Sequence, residues 1–174
     1  MDATSQRKLE IDHHTAKLIV GLIALSLPFL VSLLSSSELT SISASYYQSD
    51  WSRNIFVGFL FAICAFLLAY NGHSTTEMVL SKIAAVSAVG VAMFPCDCKR
   101  GGEQLIPYVH YLSAATLFMV LTYFCYGFYQ RAREKGHAQA IFRSKIYGLC
   151  GVILAVASVF MLLDALLGER LSDN

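Results

Sequence analysis

Apolar and polar residues along this chain fall in long blocks rather than in alternation. Leu18 to Ser37 is a run of 20 residues without a charge. Ile55 to Tyr70 is a second apolar run, and Ile83 to Pro95 is a third that reaches spanning length once Met78 to Lys82 is counted in. Leu105 to Gln130 holds no Asp, Glu, Lys or Arg across 26 residues, and Ile146 to Leu163 is a fifth run of 18. A helix needs about 20 residues to cross the hydrocarbon of a bilayer. The pattern predicts an all-α fold, an integral membrane bundle of five transmembrane helices at about 17–36, 54–71, 78–95, 107–129 and 145–167. They form a single domain over residues 1–174. The third helix requires the Lys82 stem to snorkel towards the interface. Barrel strands would alternate over segments of roughly 10 residues, and these runs do not. The first run exceeds the roughly 7–15 apolar residues of a cleaved signal core, so it is expected to remain as a helix.

Composition agrees with the pattern. Hydrophobic residues make up 56% of the chain and charged ones 14%, against roughly 25% charged in a soluble domain. The net charge of +1 lacks the basic excess of a nucleic-acid binder, so membrane lipids are the expected partners and nucleic acid is not. Basic residues orient the bundle. With the N-terminus inside and the C-terminus outside, nine of the 13 Lys and Arg lie on the inner side, as the positive-inside rule requires. Five of those nine fall between Arg131 and Lys145, a segment suited to anionic headgroups. Tyr46, Tyr47, Trp51, Tyr108 and Tyr111 gather at the outer boundary, where amphipathic rings anchor a bundle.

Small residues mark where helices can approach, because lipid tails leave no hydrophobic drive between them. Ala84, Ala88 and Ala92, with Ser87 and Gly90 beside them, make the third helix the expected centre. Gly148, Gly151, Ala155 and Ser158 form a packing stripe on the fifth. Pro28 is expected to kink the first helix or to mark a partner site. A homo-oligomer stays open.

The candidate chemistry lies at the outer face. The first outer loop offers Glu38, Ser41, Ser43, Ser45, Asp50 and Arg53, and the second reads Pro95-Cys96-Asp97-Cys98-Lys99-Arg100. His110 and Asp164 lie about one turn inside the fourth and fifth helices, and ionisable groups at such depth face a partner or a cavity. The plainest reading is a structural hydrogen bond between those two helices. The sharper ones are a ligand site and an acid–base pair completed by Asp97. Cys96, Asp97, Cys98 and His110 could together offer metal ligands, although zinc pairs are usually spaced C-x₂₋₄-C. Cys96 and Cys98 could alternatively cycle as a thiol pair, although redox pairs usually read C-x-x-C. The apolar spans leave no polar path for a monomeric channel, and no cofactor is named by any motif.

Several segments together resemble a known group. They are Ser41-Ile-Ser-Ala-Ser-Tyr-Tyr47, Arg53-Asn-Ile-Phe-Val-Gly58, Ala69-Tyr-Asn-Gly72, Val89-Gly-Val-Ala-Met-Phe-Pro95, Val109-His-Tyr-Leu-Ser-Ala114 and Arg143-Ser-Lys-Ile-Tyr147. Over roughly Ser41 to Gly151 the chain resembles an uncharacterised family of small bacterial inner-membrane proteins with five or six helices. The Phe-Pro-Cys-Asp segment followed by a His resembles a related domain-of-unknown-function family. The resemblance implies fold and a bacterial inner-membrane location rather than an activity. Where that pattern has Arg followed by Asp, this chain has Arg53-Asn54, so a role needing a carboxylate there does not carry over. Membrane-embedded metal hydrolases with seven helices and three zinc-binding His make a poor match, since only His110 is on the outer side here.

The resulting expectation is a multi-pass membrane protein that binds a lipid or small amphiphile in an outer pocket. Its residues would be Tyr46, Tyr47, Asp50, Trp51, Arg53, His110 and Asp164. The alternatives are a membrane enzyme using His110, Asp164 and Asp97, and a thiol–disulfide oxidoreductase using Cys96 and Cys98.

Overall fold

The computed structural model describes residues 13–36, 39, 41–48, 50–96 and 105–172, with side chains for 19–36, 39, 41–48, 51–96 and 108–163. Among these residues every regular element is helical: α1 (His13–Leu33), a short 3₁₀ turn (Ile42–Tyr47), α2 (Asp50–Ala69), α3 (Thr75–Met93), α4 (Leu105–Glu134) and α5 (Ala138–Ser172). Four stretches, Trp51–Ala69, Thr75–Met93, Tyr108–Glu134 and Ala138–Leu163, are long and apolar enough to cross a membrane, and Ile19–Leu33 of α1 is a shorter apolar helix. Helix α1 continues through Pro28.

Each helix packs on its neighbours in sequence, with α1 at one end of a row and α5 at the other. The 3₁₀ turn lies against α1 and α2. Alternating directions give the row two ends. One carries the 3₁₀ turn and Cys96; the other carries Glu77 and the turns at Gly72 and Gly136.

Helix α3 is the centre, and its small side chains are the reason. Ala84 and Ala88 are fully buried and Ala92 almost so. With so little bulk between them, side chains of α2 and α4 close over α3. Cys64 of α2 joins Leu117, Val120 and Phe124 of α4 in one apolar cluster, and Tyr70 meets the Phe124 ring edge-on at 5.6 Å. Towards the Cys96 end, Val31, Phe56, Leu60, Val91, Ala92 and Ala114 form a second cluster. Gly90 shows how near α3 and α4 come. A Cβ placed there would lie 2.2 Å from Ser113 Oγ and 2.8 Å from Ser113 Cβ.

Helix α5 packs by the same device. Ala140 and Ser144 are buried. A Cβ on Gly148 would sit 3.3 Å from the Tyr129 ring, and one on Gly151 would sit 3.2 Å from Cys125 Cβ. The packed part of the expected stripe thus runs from Ala140 to Gly151, while Ala155 further along it is exposed.

The basic segment between α4 and α5 differs from its expected form. It is a tight turn, not an extended loop: α4 runs on to Glu134 and α5 already begins at Ala138. Gly136 takes φ +69°, the left-handed conformation that ends helices without a Cβ penalty. Arg131 and Arg133 in the last turn of α4 suit the negative pole of its dipole.

Gly90→Ala tests the α3–α4 approach. Rotating the Ser113 hydroxyl away would still leave its Cβ too close, so a loss of about 1–3 kcal/mol is expected, as for overpacked cores. Thermal unfolding in detergent should show it as a lowered Tm. Gly58→Ala, whose new Cβ meets nothing within 4 Å, should hold or raise the Tm.

Candidate functional site

Polar side chains concentrate at the two ends of the row. At the Cys96 end, three hydrogen bonds collect the exits of α1 and α3. The Ser52 hydroxyl, in the first turn of α2, donates to Val31 O at 3.0 Å and so satisfies one of the carbonyls that α1 leaves without an intrahelical partner. The Tyr47 hydroxyl donates to Cys96 O at 2.7 Å. His110 Nδ1 lies 2.7 Å from Phe94 O, and its Nε2 lies 3.3 Å from Ser43 Oγ. A carbonyl can only accept, so Nδ1 carries the proton, and the neutral ring accepts from Ser43 through Nε2.

His110 is 3% exposed and joins α4 to the end of α3 and to the 3₁₀ turn. Its two nitrogens are thus engaged away from α5. The Asp164 side chain lies outside the described residues, as do the Asp50 side chain and all of Asp97 and Cys98. Cys96 is buried and disulfide-bonded, while Cys64, Cys125 and Cys150 are free thiols. A bonded sulfur is not a thiolate ligand, so Cys96 in this state cannot serve the metal site considered from sequence. Among the described residues no three His, Cys, Asp or Glu side chains gather as a metal cluster.

Of the expected pocket residues, Tyr46 and Arg53 do come together. They line a groove of about 400 Å³ with Asn54, Val57, Gly58, Ala92 and Met93. Trp51 instead points outward and is 72% exposed. Tyr47 meets the Tyr46 ring edge-on at 5.7 Å but is committed to Cys96 O. The groove has a direction. Arg53 and Asn54 precede Val57 and Gly58 by one turn on the same face of α2, so a polar mouth stands above an apolar floor. Beside it, Ser45 is fully buried and its hydroxyl has no hydrogen-bond partner.

The opposite end holds a cluster that the sequence reading did not single out. Glu77 is 5% exposed. One carboxylate oxygen pairs with Arg131 of α4, and the other accepts from the Tyr70 hydroxyl at 3.3 Å and from His73 N–H at 3.0 Å. Ser74 caps α3, its Oγ accepting from Glu77 N–H at 3.2 Å. Ser74-Thr-Thr-Glu77 is thus the S-x-x-E signature of a capping box, with the Glu side chain turned to the preceding loop and to Arg131. Gly72 makes room for it: its φ is +67°, and a Cβ there would fall 2.4 Å from Glu77 Cβ. The Arg131 guanidinium lies 5.1 Å from the centre of the Phe128 ring, with Nη2 buried and unpartnered.

The Lys82 side chain reaches the end of α2. Its ammonium donates to Leu68 O and Tyr70 O, closing the end of α2, while Ser81 Oγ adds a second bond to Tyr70 O at 2.8 Å. Burial pushes the Tyr70 phenol above its ordinary pKa; the charge of Glu77 adds to the rise and Arg131 offsets part of it. This end is thus a brace, in which Glu77 ties the start of α3 to Arg131 of α4 and to the turn before it.

The chain matches no family model, no curated protein and no solved structure.

Removing one partner of a buried pair costs more than the pair is worth, about 3–5 kcal/mol. Arg131 keeps 30% of its side chain exposed, so solvent reduces the cost to about 2–3 kcal/mol for Glu77→Gln. Thermal unfolding should show that loss, and Glu77→Gln combined with Arg131→Met should recover part of it. Equal and additive losses would sink the pairing. At the other end, His110→Ala should cost about 1–3 kcal/mol by stranding Phe94 O, and Ser43→Ala much less.

Proposed function

We propose that this chain is a non-enzymatic integral membrane protein that holds a lipid or small amphiphile in the groove at its Cys96 end. All five helices cross one bilayer in this reading. The N-terminus and the Glu77 end face the cytoplasm, and the groove opens near the outer leaflet. Basic residues around Gly136 favour that orientation. The sequence patterns between Ser41 and Gly151 favour a bacterial inner membrane.

The groove itself carries the proposal. A volume of about 400 Å³ is in the range of small-molecule sites, roughly 300–1,000 Å³. An acyl chain would lie on Val57, Gly58, Ala92 and Met93, with its polar head at Tyr46, Arg53 and Asn54. Gly58 supports this occupant. Gly90, Gly148 and Gly151 each face a close neighbour that explains the missing side chain, whereas a Cβ on Gly58 would meet nothing within 4 Å. A side chain at Gly58 would take up space in the groove that this residue lines. An acid–base or metal site at His110 has less support, because Phe94 O and Ser43 occupy its ring nitrogens.

Gly58→Leu fills the groove from a position with room for the new side chain. Binding of a fluorescent fatty acid by the purified protein should weaken at least tenfold, about 1.4 kcal/mol, with the Tm preserved. Unchanged binding by a folded Gly58→Leu protein would remove this reading.

A further inference from the structure

The α4–α5 turn carries a charge pattern that neither the groove nor the Glu77 brace uses. Arg131 to Lys145 contains five basic residues and a single acid, Glu134. Arg131 is spent on Glu77. Arg133, Lys135, Arg143 and Lys145 are exposed, and among the described residues none of the four forms an ion pair. Arg133 stays close to its own helix, with Nη1 donating to the Tyr129 hydroxyl at 2.6 Å. Its remaining guanidinium N–H groups are directed at no carboxylate.

Apolar side chains stand among these cations. Phe142 is 66% exposed, and Ile141 and Ile146 are 42% and 44% exposed, while Ala140 and Ser144 are buried on the opposite face, the one that packs on α4. The start of α5 is therefore two-sided, with small residues against protein and a bulky apolar and basic face turned away from it. Water suits the cations of that face but not Phe142. A soluble acidic protein would pair the cations but would have to compete with the bilayer that α5 enters directly afterwards. The boundary of an anionic leaflet suits both, since acyl tails receive Phe142 and the two Ile while phosphate oxygens receive the basic heads.

We propose that the α4–α5 turn is a binding surface for anionic phospholipid headgroups, with Arg133, Lys135, Arg143 and Lys145 as phosphate ligands and Phe142 as the side chain set into the acyl region. The ligand is a lipid rather than free phosphate, because the apolar contact is half of the surface. The surface is separate from the groove and lies at the opposite end of the bundle.

The test uses the full-length protein in nanodiscs of phosphatidylcholine with increasing phosphatidylglycerol, ejected into a native mass spectrometer to count retained lipid. The wild type should retain phosphatidylglycerol over phosphatidylcholine, and potassium chloride should weaken that preference. Changing Arg133, Lys135, Arg143 and Lys145 together to Gln should reduce it by about fivefold per residue. If the fourfold variant fails to fold, Arg133→Gln with Lys135→Gln and Arg143→Gln with Lys145→Gln are compared as pairs, each expected to lose part of the preference. Phe142→Ser should lower retention of both lipids. Equal retention of the two lipids by wild type would overturn the proposal. So would a preference that survives neutralisation in a folded variant, since the charges would then only set topology. Stabilisation of the detergent-solubilised protein by millimolar inorganic phosphate, with no lipid preference, would assign the site to free phosphate and also refute it.

Discussion

Helices surrounded by lipid gain nothing from merely being apolar, because the tails around them are as apolar as they are. What holds such helices together is how closely their backbones and side chains can approach. In this chain that constraint is met by what α3 lacks. Ala84, Ala88 and Ala92 leave so little bulk on its buried face that Cys64 and Tyr70 from one side reach Leu117 and Phe124 from the other. Larger residues at those three positions would separate α2 from α4, and the polar contacts at both ends would lose their registration. The position of Glu77 under Arg131 and that of His110 under Phe94 both follow from the spacing that the alanines set.

The polar side chains then do a different job at each end. Backbone carbonyls and amides at helix termini need partners wherever water is scarce. At the Glu77 end they are served by side chains of the same short stretch: Ser74 for the start of α3, and Lys82 and Ser81 for the end of α2. Glu77 converts that local cap into a tie across the bundle by also taking Arg131. At the Cys96 end the ties are longer in sequence, Tyr47 to Cys96 and Ser43 to His110, and they bind the 3₁₀ turn over the mouths of three helices. A cleft is left open there, between the turn, α2 and the last turn of α3.

The helices, the central place of α3 and the stripe on α5 were legible in the sequence because each rests on a single local variable, hydrophobicity or side-chain size, read at helical spacing. The ends of the helices were less so. Arg131 to Lys145 reads as a charged loop by composition, but Gly136 alone breaks it, and charge does not prevent a helix from continuing beyond the apolar span. His110 was identifiable as a buried ionisable group, whereas its partners are Phe94 O and a serine hydroxyl, which no charge pattern marks. Glu77 lies at the edge of an apolar run, where a charge ordinarily faces water, so hydropathy does not mark it as buried. The S-x-x-E spacing after an Asn-Gly turn was the available signal. Tyr46 and Arg53 share a boundary position and come together, whereas Trp51, two residues before Arg53 on the same helix, faces away as that spacing requires.

The row of helices also bears on how the chain is assembled. Among the described residues the helix backbones approach one another only between elements consecutive in sequence, while side chains of α2 and α4 also meet over α3. Docking can follow the order of synthesis, with each new hairpin adding to a surface already in place, and the loop-closure entropy of each step is small. Helix α5 adds to α4 alone and is not enclosed by the helices before it. A chain built this way tolerates pauses between helices, because every intermediate is a shorter version of the same row.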